Sequence, residues 1–377
     1  MAALSSTGAS APELPKSVAA VLQPFVDRQA LAGAVTLVAT KDKVLSLESV
    51  GFADVAAKRP VQTNALFWIA SQSKPIAATA FMMLVDEGKV NVDDPVEKYL
   101  PEFKGQMVAI ERDADHMLLR KPAHPIKVRE ILSHTSGLPF KSPMEEPTLD
   151  VLPLRDVVRS YALLPLQSEP GTKYSYSNAG INTAARIIEV VSAMPYEEFL
   201  DQRLFRPLGM KDTTFWPTEE QAGRLAKSYK PAANQNGLEE IPITQLRYPL
   251  TDRKREPVPA GGLFSTARDI GLFSQMILNG GMFEGKRYLS EAAVKQMTAK
   301  QTGDAVPDGY GFGWFVGNGS FGHGGAYSTN MSIEPPRGLI TVFLVQHAGF
   351  PGQEGPAIQK AFAEGVAGVL ARQSPPQ

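Results

Sequence analysis

Residues rich in apolar and β-branched side chains lie near both ends of the chain and predict strands. Residues 33–54 form two such runs around a charged turn at residues 41–43, which predicts a β-hairpin. Three further β-rich runs lie at 310–316, 321–334 and 339–347. The last two are joined by residues 335–338, Pro-Pro-Arg-Gly, whose backbone chemistry favours a turn.

Apolar residues at helical spacing predict helices at the two termini and through the middle of the chain. The predicted helical segments are 15–30, 73–87, 126–134, 178–192, a stretch within 257–281, and 355–371. The segment beginning at 73 is apolar on all sides, which is typical of a fully buried helix. Residues 218–256 are polar and predict an exposed excursion that, with residues 104–125, borders the mouth of a cleft.

Strands at both ends and helices between them predict an α/β (α+β) fold with one antiparallel sheet. N- and C-terminal helices are expected to flank this sheet, and a mainly helical domain is inserted into it. The predicted division assigns residues 1–66 and 256–377 to the α/β domain and residues 67–255 to the helical domain. The seam between two such units is where a catalytic cleft is expected.

Composition excludes several classes of protein. The 377 residues include 38 Lys and Arg, 39 Asp and Glu, and no Cys, which argues against nucleic-acid binding and excludes disulfides and thiolate chemistry. The longest apolar run, residues 76–85, is about half of what a membrane span needs, and residues 1–17 lack the pattern of a signal peptide. We therefore expect a soluble monomer or homodimer, either cytoplasmic or exported with its leader removed.

The candidate chemistry begins at the head of the apolar helix, in the stretch FWIASQSKPIAATAF. Ser71 and Lys74 are three residues apart and so share one helical face. Because Pro75 is tolerated only in the first turn of a helix, the helix must begin near Ser71. A desolvated lysine of lowered pKa can take the proton of a serine nucleophile, although a serine at a helix start is often only a cap.

Two later motifs strengthen the catalytic interpretation. Tyr176 and Asn178 stand at the head of the predicted helix 178–192, where a phenol can transfer protons and an amide can hold a substrate carbonyl. His323 is followed by Gly324 and Gly325 within a β-rich region, and glycines in a strand often mark a place where a ligand or another backbone comes close. His134, in SHTSG, is expected to serve the structure of its loop.

The order Ser-x-x-Lys, Tyr-x-Asn and His-x-Gly resembles that of the serine β-lactamase and penicillin-binding-protein superfamily. The resemblance is to the class C branch, is strongest to the family VIII carboxylesterases, and covers residues 15 to 372. Three further stretches are similar to that branch: LSHTSGLP at 132–139, VPAGGLFSTARDI at 258–270 and GHGGAYSTN at 322–330. The resemblance implies the β-lactamase-like fold.

The resemblance also implies roles for individual residues. Ser71 would be the acylated nucleophile, and Lys74 and Tyr176 would share the acid–base work, coupled by a short hydrogen bond. The substrate-binding residues would be Asn178, His323, Gly324 and Gly325. The backbone N–H groups of Ser71 and Ala326 would form the oxyanion hole, and neither metal nor cofactor is implied.

The chain departs from the family pattern at His323, where many relatives carry lysine. A histidine is mostly neutral at pH 7 and offers less charge to a substrate carboxylate, so the expected activity is hydrolysis of short-chain carboxylic esters through an acyl-Ser71 intermediate. A class C-like β-lactamase, a D-amino-peptidase and an acyltransferase remain as alternatives. A second alternative is a binding protein of the penicillin-recognising type without catalytic activity.

Overall fold

Strands from the two ends of the chain meet in one sheet. The computed structural model describes residues 17–303 and 309–373. Within them the strands are β1 Gly33–Thr40, β2 Val44–Asp54, β3 Arg59–Pro60, β4 Phe67–Trp68, β5 Val108–Arg112, β6 Met117–Arg120, β7 Ser228–Pro231, β8 Leu238–Ile241, β9 Phe264–Ser265, β10 Met282–Phe283, β11 Lys286–Arg287, β12 Gly309–Tyr310, β13 Phe315–Gly317, β14 Ser320–Gly324, β15 Asn330–Glu334 and β16 Leu339–Leu344.

Helices fill most of the region between these strands. In the described part of the chain they are α1 Val18–Asp27, α2 Ser73–Asp86, α3 Val128–Leu132, α4 Leu154–Ala162, α5 Asn178–Ser192, α6 Tyr196–Leu200, α7 Arg206–Leu208, α8 Glu219–Gly223, α9 Ala267–Leu278, α10 Glu291–Met297 and α11 Glu354–Ala371. Short 3₁₀ turns occur at several junctions, including Ala70–Gln72 directly before α2.

The main sheet is antiparallel throughout and has eight strands in the order β12-β13-β14-β15-β16-β1-β2-β3. Strand β1 lies between β2 and β16, and its register with β16 pairs Val35 with Leu344 and Thr40 with Leu339. The first and last strands of the chain are therefore central neighbours. This topology confirms the predicted fold class and the predicted sheet built from both ends.

Successive side chains of β1 point to opposite faces of the sheet, and each face packs against a separate hydrophobic core. Val35 and Leu37 belong to the core shared with α2 and α9, whereas Ala34 and Val38 belong to the core shared with α1 and α11. The predicted flanking of the sheet by the N- and C-terminal helices is thus observed. Strand β1 is buried on both faces, since each residue from Gly33 to Ala39 is buried.

Helix α2 is enclosed by the other elements, as its uniformly apolar sequence predicts. All residues from Ser73 to Leu84 are buried. The helix starts two residues after Ser71 and carries Pro75 in its first turn, where a missing N–H costs nothing. Helices α3, α5 and α11 also lie where the periodicity predicts them.

Two predictions of local structure were wrong in part. Residues 310–316 do not form one strand, because Gly313 adopts φ +75° and turns the chain between β12 and β13. Residues 218–256 are not wholly exposed: only part of the segment is polar surface, and Ile243, Leu246 and Leu250 pack against Trp68 and Phe264. The division into domains at residues 66/67 and 255/256 stays a prediction.

Close packing between α3 and α5 gives a stability test. A Cβ added at Gly180 of α5 would lie 2.5 Å from the backbone oxygen of Ile131 in α3. Gly180→Ala should therefore lower the free energy of unfolding by about 1–3 kcal/mol, because the two helices must move apart. Urea denaturation of the purified variant measures the change.

Gly223→Ala is the matched control. Gly223 is exposed at the end of α8, and a Cβ there has no heavy atom within 4 Å. This variant should be as stable as the parent or slightly more stable. Equal stability of the Gly180 and Gly223 variants would contradict the close helix contact.

Candidate active site

Ser71 lies in a tight turn between β4 and α2. Ala70, directly before it, has φ +46°, a left-handed conformation that an alanine adopts only when the surroundings enforce it. The turn is fixed by Ser73, whose hydroxyl donates to Ala70 O at 2.6 Å and accepts from Leu263 N at 3.3 Å. The serine is therefore held at the helix start that Pro75 predicts.

Lys74 is fully buried directly beneath Ser71. Its Nζ lies 2.9 Å from Ser71 Oγ, 2.8 Å from Asn178 Oδ1 and 2.8 Å from Ala260 O. Burial lowers the pKa of Lys74 well below its ordinary value. Asn178 Oδ1 and Ala260 O can only accept hydrogen bonds, so a neutral amine donates its two N–H groups to them and directs its lone pair at the Ser71 hydroxyl.

Tyr176 contacts the same serine from the other side. Its hydroxyl is hydrogen-bonded to Ser71, while burial, the dominant effect, raises the pKa of Tyr176 above its usual value. Tyr176 is therefore a phenol at neutral pH. Its ring centroid lies 4.6 Å from Lys74 Nζ.

The expected short hydrogen bond between Lys74 and Tyr176 is not observed. Within the described residues, Nζ has its three hydrogen-bond partners in Ser71, Asn178 and Ala260, and Tyr176 meets the lysine with its ring. The two groups are instead coupled through Ser71, which both contact. The physical reason is that buried Asn178 and Ala260 already occupy the donors of the amine.

His323 is buried behind Tyr176, and both of its ring nitrogens contact protein atoms. Nδ1 lies 2.6 Å from Gly324 O, which can only accept, so Nδ1 carries the proton. Nε2 therefore accepts from the Tyr310 hydroxyl at 3.0 Å. Burial is the main cause that lowers the pKa of His323 to about 3, and Lys74 lowers it further. The predicted contact between His323 and the substrate stays a prediction. Because both ring nitrogens are already hydrogen-bonded to the protein, such a contact would involve the carbon atoms of the ring.

Gly325 permits the β14–β15 turn to pack against the chain just before Ser71. A Cβ at this position would lie 2.5 Å from Ile69 O and 2.2 Å from Thr329 Oγ1. The sequence indicates that either a ligand or another backbone comes close to the glycine pair. The structure shows that another backbone does so at Gly325. Neither Ser71 N nor Ala326 N donates to another backbone group in the described part of the chain, and both residues line the same cavity.

That cavity has a volume of about 340 Å³ and is mainly apolar. It is lined by Trp68, Ala70, Ser71, Phe140, Leu149, Tyr176, Asn178, Gln245, Ala260, Gly261, Phe315, His323, Gly324, Gly325 and Ala326. All the predicted site residues except the buried Lys74 are in this set. No Lys, Arg, Asp or Glu is among these described lining residues. Residues 104–125 contain the β5–β6 hairpin and contribute no lining residue to the cavity, so their place at the cleft mouth stays a prediction.

Two features are absent from residues 17–303 and 309–373. These residues contain no group of three or more His, Cys, Asp or Glu side chains placed to hold a metal ion. They also contain no helix that is both long enough and apolar enough to cross a bilayer.

Comparison with known proteins gives the family. The Beta-lactamase family model matches residues 18–363. This chain belongs to the Beta-lactamase family. The predicted superfamily and its fold are thereby confirmed, whereas the particular likeness to family VIII carboxylesterases stays a prediction.

Three relatives of this Beta-lactamase family member are informative. Protein Rv1367c of Mycobacterium tuberculosis is 32% identical over 370 residues, covering 87% of this chain and 89% of that protein. The solved structure of EstCE1, described as a hydrolase with promiscuous acyltransferase activity, is 26% identical with a TM-score of 0.75 and covers 92% of this chain and 97% of its own. The D-amino acid amidase from Ochrobactrum anthropi SV3 shares the fold, at 24% identity and a TM-score of 0.70, over 94% of this chain and 99% of its own.

Sequence reasoning missed several residues of this family member's site. Phe140, Phe315 and Gln245 line the cavity, and nothing in their local sequence indicates it. Ala260 also lines it and lies in the family-like stretch 258–270, which could have indicated it. His134 has the structural role expected for it, since its Nδ1 accepts from Ser177 N at 3.2 Å and its ring packs 4.5 Å from that of Tyr176.

The tautomer of His323 can be observed directly. Because its folded-state pKa is lowered to about 3, the ring should stay neutral, protonated at Nδ1, as the pH falls from 8 to 5. Proton–nitrogen NMR correlation of protein labelled with ¹⁵N-histidine measures this. Tyr310→Phe should shift the Nε2 resonance by removing its donor, and a titration midpoint for His323 between pH 5 and 8 would disprove the assignment.

Proposed function

We propose that this protein is a serine hydrolase that cleaves short-chain carboxylic esters through an acyl-enzyme on Ser71. The observation that carries the proposal is a mainly apolar cavity, with no charged residue among its described lining, beside a serine whose hydroxyl lies 2.9 Å from a buried lysine of lowered pKa. A volume of about 340 Å³ suits a small ester. The similarity to EstCE1, a hydrolase, supports this class of reaction.

Acylation follows from the contacts of Ser71. Lys74 Nζ accepts the hydroxyl proton while Oγ bonds to the ester carbonyl carbon, and the backbone N–H groups of Ser71 and Ala326 donate to the resulting oxyanion. As the carbon–oxygen bond to the alcohol breaks, the Tyr176 phenol protonates the leaving alkoxide. The Tyr176 phenolate then takes a proton from the lysine ammonium, which leaves both groups neutral and Ser71 acylated. Because the lysine meets the tyrosine ring rather than its hydroxyl, this transfer requires the hydroxyl to move within reach of Nζ.

Deacylation reverses the order of these proton transfers. Water attacks the acyl carbon and gives a proton to Tyr176, which passes its own proton to Lys74. When the bond to Oγ breaks, Lys74 returns that proton to Ser71 and the carboxylic acid leaves. Asn178 fixes the position of Lys74 through Oδ1 and would direct its amide N–H groups at the substrate carbonyl side.

The alternatives differ in the charge of their substrates. β-Lactams and D-amino peptides carry a carboxylate, and the described lining residues include no Lys or Arg to bind it. His323 is neutral, and its Nδ1–H already donates to Gly324 O. Acyl transfer to an alcohol is favoured as a side reaction, because an apolar cavity admits alcohols as competitors for water. A binding protein without catalysis would have no need of a deprotonated lysine at a serine hydroxyl.

A paired assay tests the assignment. The purified protein should hydrolyse p-nitrophenyl butyrate much faster than a chromogenic cephalosporin. Ser71→Ala should lower ester turnover by about 10³-fold or more, because no other group in the site can form the acyl-enzyme.

The free energy of unfolding of Ser71→Ala should stay within about 1 kcal/mol of the parent. This control separates lost chemistry from lost structure. Cephalosporin turnover equal to ester turnover would support the β-lactamase alternative instead, and full ester turnover by the variant would exclude Ser71 as the nucleophile.

The pH dependence of acylation tests the role of Lys74. Protonated Lys74 cannot accept a proton, so kcat/KM should fall as the pH drops through the pKa of Lys74. Because burial lowers that pKa well below its ordinary value, the fall should come at a much lower pH than the one at which a solvent-exposed lysine titrates.

Lys74→Arg is the matched variant, because arginine stays protonated at every pH and so cannot act as a base. It should abolish measurable turnover at every pH from 6 to 9. A rate independent of pH down to 4, or an active Lys74→Arg variant, would contradict general-base catalysis by Lys74.

A further inference from the structure

A buried ion pair lies behind one wall of the cavity. Arg255 Nε is 2.7 Å from Asp150 Oδ2, and the two side chains are 2% and 0% exposed. The residues are 105 positions apart in sequence. Removing two charges from water is costly unless each is fully paired, so such a pair indicates a strongly constrained position.

Both partners have additional hydrogen bonds that fix their segments. The Asp150 carboxylate accepts from Arg247 N at 3.0 and 3.1 Å and from Thr148 Oγ1 at 2.8 Å. Arg255 Nη1 donates to Phe215 O at 3.0 Å and to Leu250 O at 2.8 Å. The pair therefore ties two loops together and to the chain before α8.

The backbones of the two loops are joined next to the pair. Leu149 N donates to Gln245 O at 3.0 Å, and Glu256 N donates to Asp150 O at 3.1 Å. Leu149 and Gln245 both line the cavity that contains Ser71. We call these two residues the Leu149–Gln245 wall.

Gln245 is half-buried, lines this apolar cavity and carries a neutral amide. Its side chain has no hydrogen-bond partner among the described residues, whereas the N–H of His323 and the Oδ1 of Asn178 are already used by the protein. An amide offers two donors and an acceptor, and it discriminates strongly between a substrate that can pair with it and one that cannot.

We propose that Gln245 determines specificity by hydrogen-bonding a neutral polar group of the substrate, and that the Asp150–Arg255 pair positions it through the Leu149–Gln245 wall. This inference rests on the proposed esterase function. The substrate class is an ester that carries a hydroxyl, keto or amide group near the scissile bond. A carboxylate is excluded from this role, because no cation lines the described cavity.

Two isosteric substrate pairs test the proposal, one for each side of the ester. On the acyl side, p-nitrophenyl 3-hydroxybutyrate is compared with p-nitrophenyl 3-methylbutyrate. On the alcohol side, 2-hydroxyethyl butyrate is compared with propyl butyrate. The measured quantity is the ratio of kcat/KM within each pair.

Gln245→Leu should lower this ratio about threefold to tenfold in at least one pair, because the hydroxyl loses its partner while the apolar analogue does not. Thr244→Val is the control, since its exposed side chain does not line the cavity and the ratios should not change. Unchanged ratios in both pairs, with turnover retained, would overturn this inference alone. Absence of wild-type turnover of all four esters would overturn the proposed function and, with it, this inference.

Asp150→Asn tests the positioning role. It should lower the same ratio, mainly through KM of the hydroxyl substrate, and it should have no further effect on the ratio when combined with Gln245→Leu. An equal loss of kcat/KM for both members of each pair would show that the ion pair is only structural. If Asp150→Asn does not fold, the Gln245→Leu result alone decides the proposal.

Discussion

The burial of one amine governs the site. Lys74 has three polar neighbours, two of which can only accept, and water does not reach it. An ammonium here would have to lose its hydration, and the surroundings provide no carboxylate partner to compensate for it. The neutral amine satisfies every contact, and its lone pair has one remaining direction, toward Ser71. Burial without a carboxylate partner thus lowers the pKa of Lys74, and the neutral amine can then act as a base.

That arrangement depends on close backbone contacts around the head of α2. Gly313 places its backbone where a Cβ would lie 2.7 Å from Lys74 O, and Gly325 does the same against Ile69 O. The β12–β13 turn therefore packs against the start of α2, and the β14–β15 turn packs against the residue before Ala70. Ala70, between these two contacts in sequence, has the left-handed conformation. The strained backbone at Ala70 and the glycines at positions 313 and 325 thus belong to the same closely packed region around Ser71.

These local requirements explain what the sequence could predict. The buried helix, the serine near its start and the glycine pair are each marked by residue type over a few positions, and their order along the chain gives the fold. The Leu149–Gln245 wall and the Tyr310–His323 contact carry no such mark. The wall depends on loop paths that bring distant residues together, as Arg255 and Asp150 show, and a polar run such as 218–256 does not reveal which of its members are buried. The Tyr310–His323 contact depends on how β12, β13 and β14 pair after the turn at Gly313.

The same physics limits the charge that the site can hold. His134, His323 and Lys74 are buried close together, and the charge of Lys74 is among the causes that lower the pKa of both histidines. A cation at any one of these positions disfavours a cation at the other two. Because Lys74 becomes positive during each proton transfer, its neighbours must stay neutral for that step to be accessible. A lysine in place of His323 would attract a substrate carboxylate but would oppose the charge that forms on Lys74. A neutral histidine whose Nδ1–H donates to Gly324 O removes this conflict, and a neutral ester is the substrate whose binding suffers least from the missing positive charge.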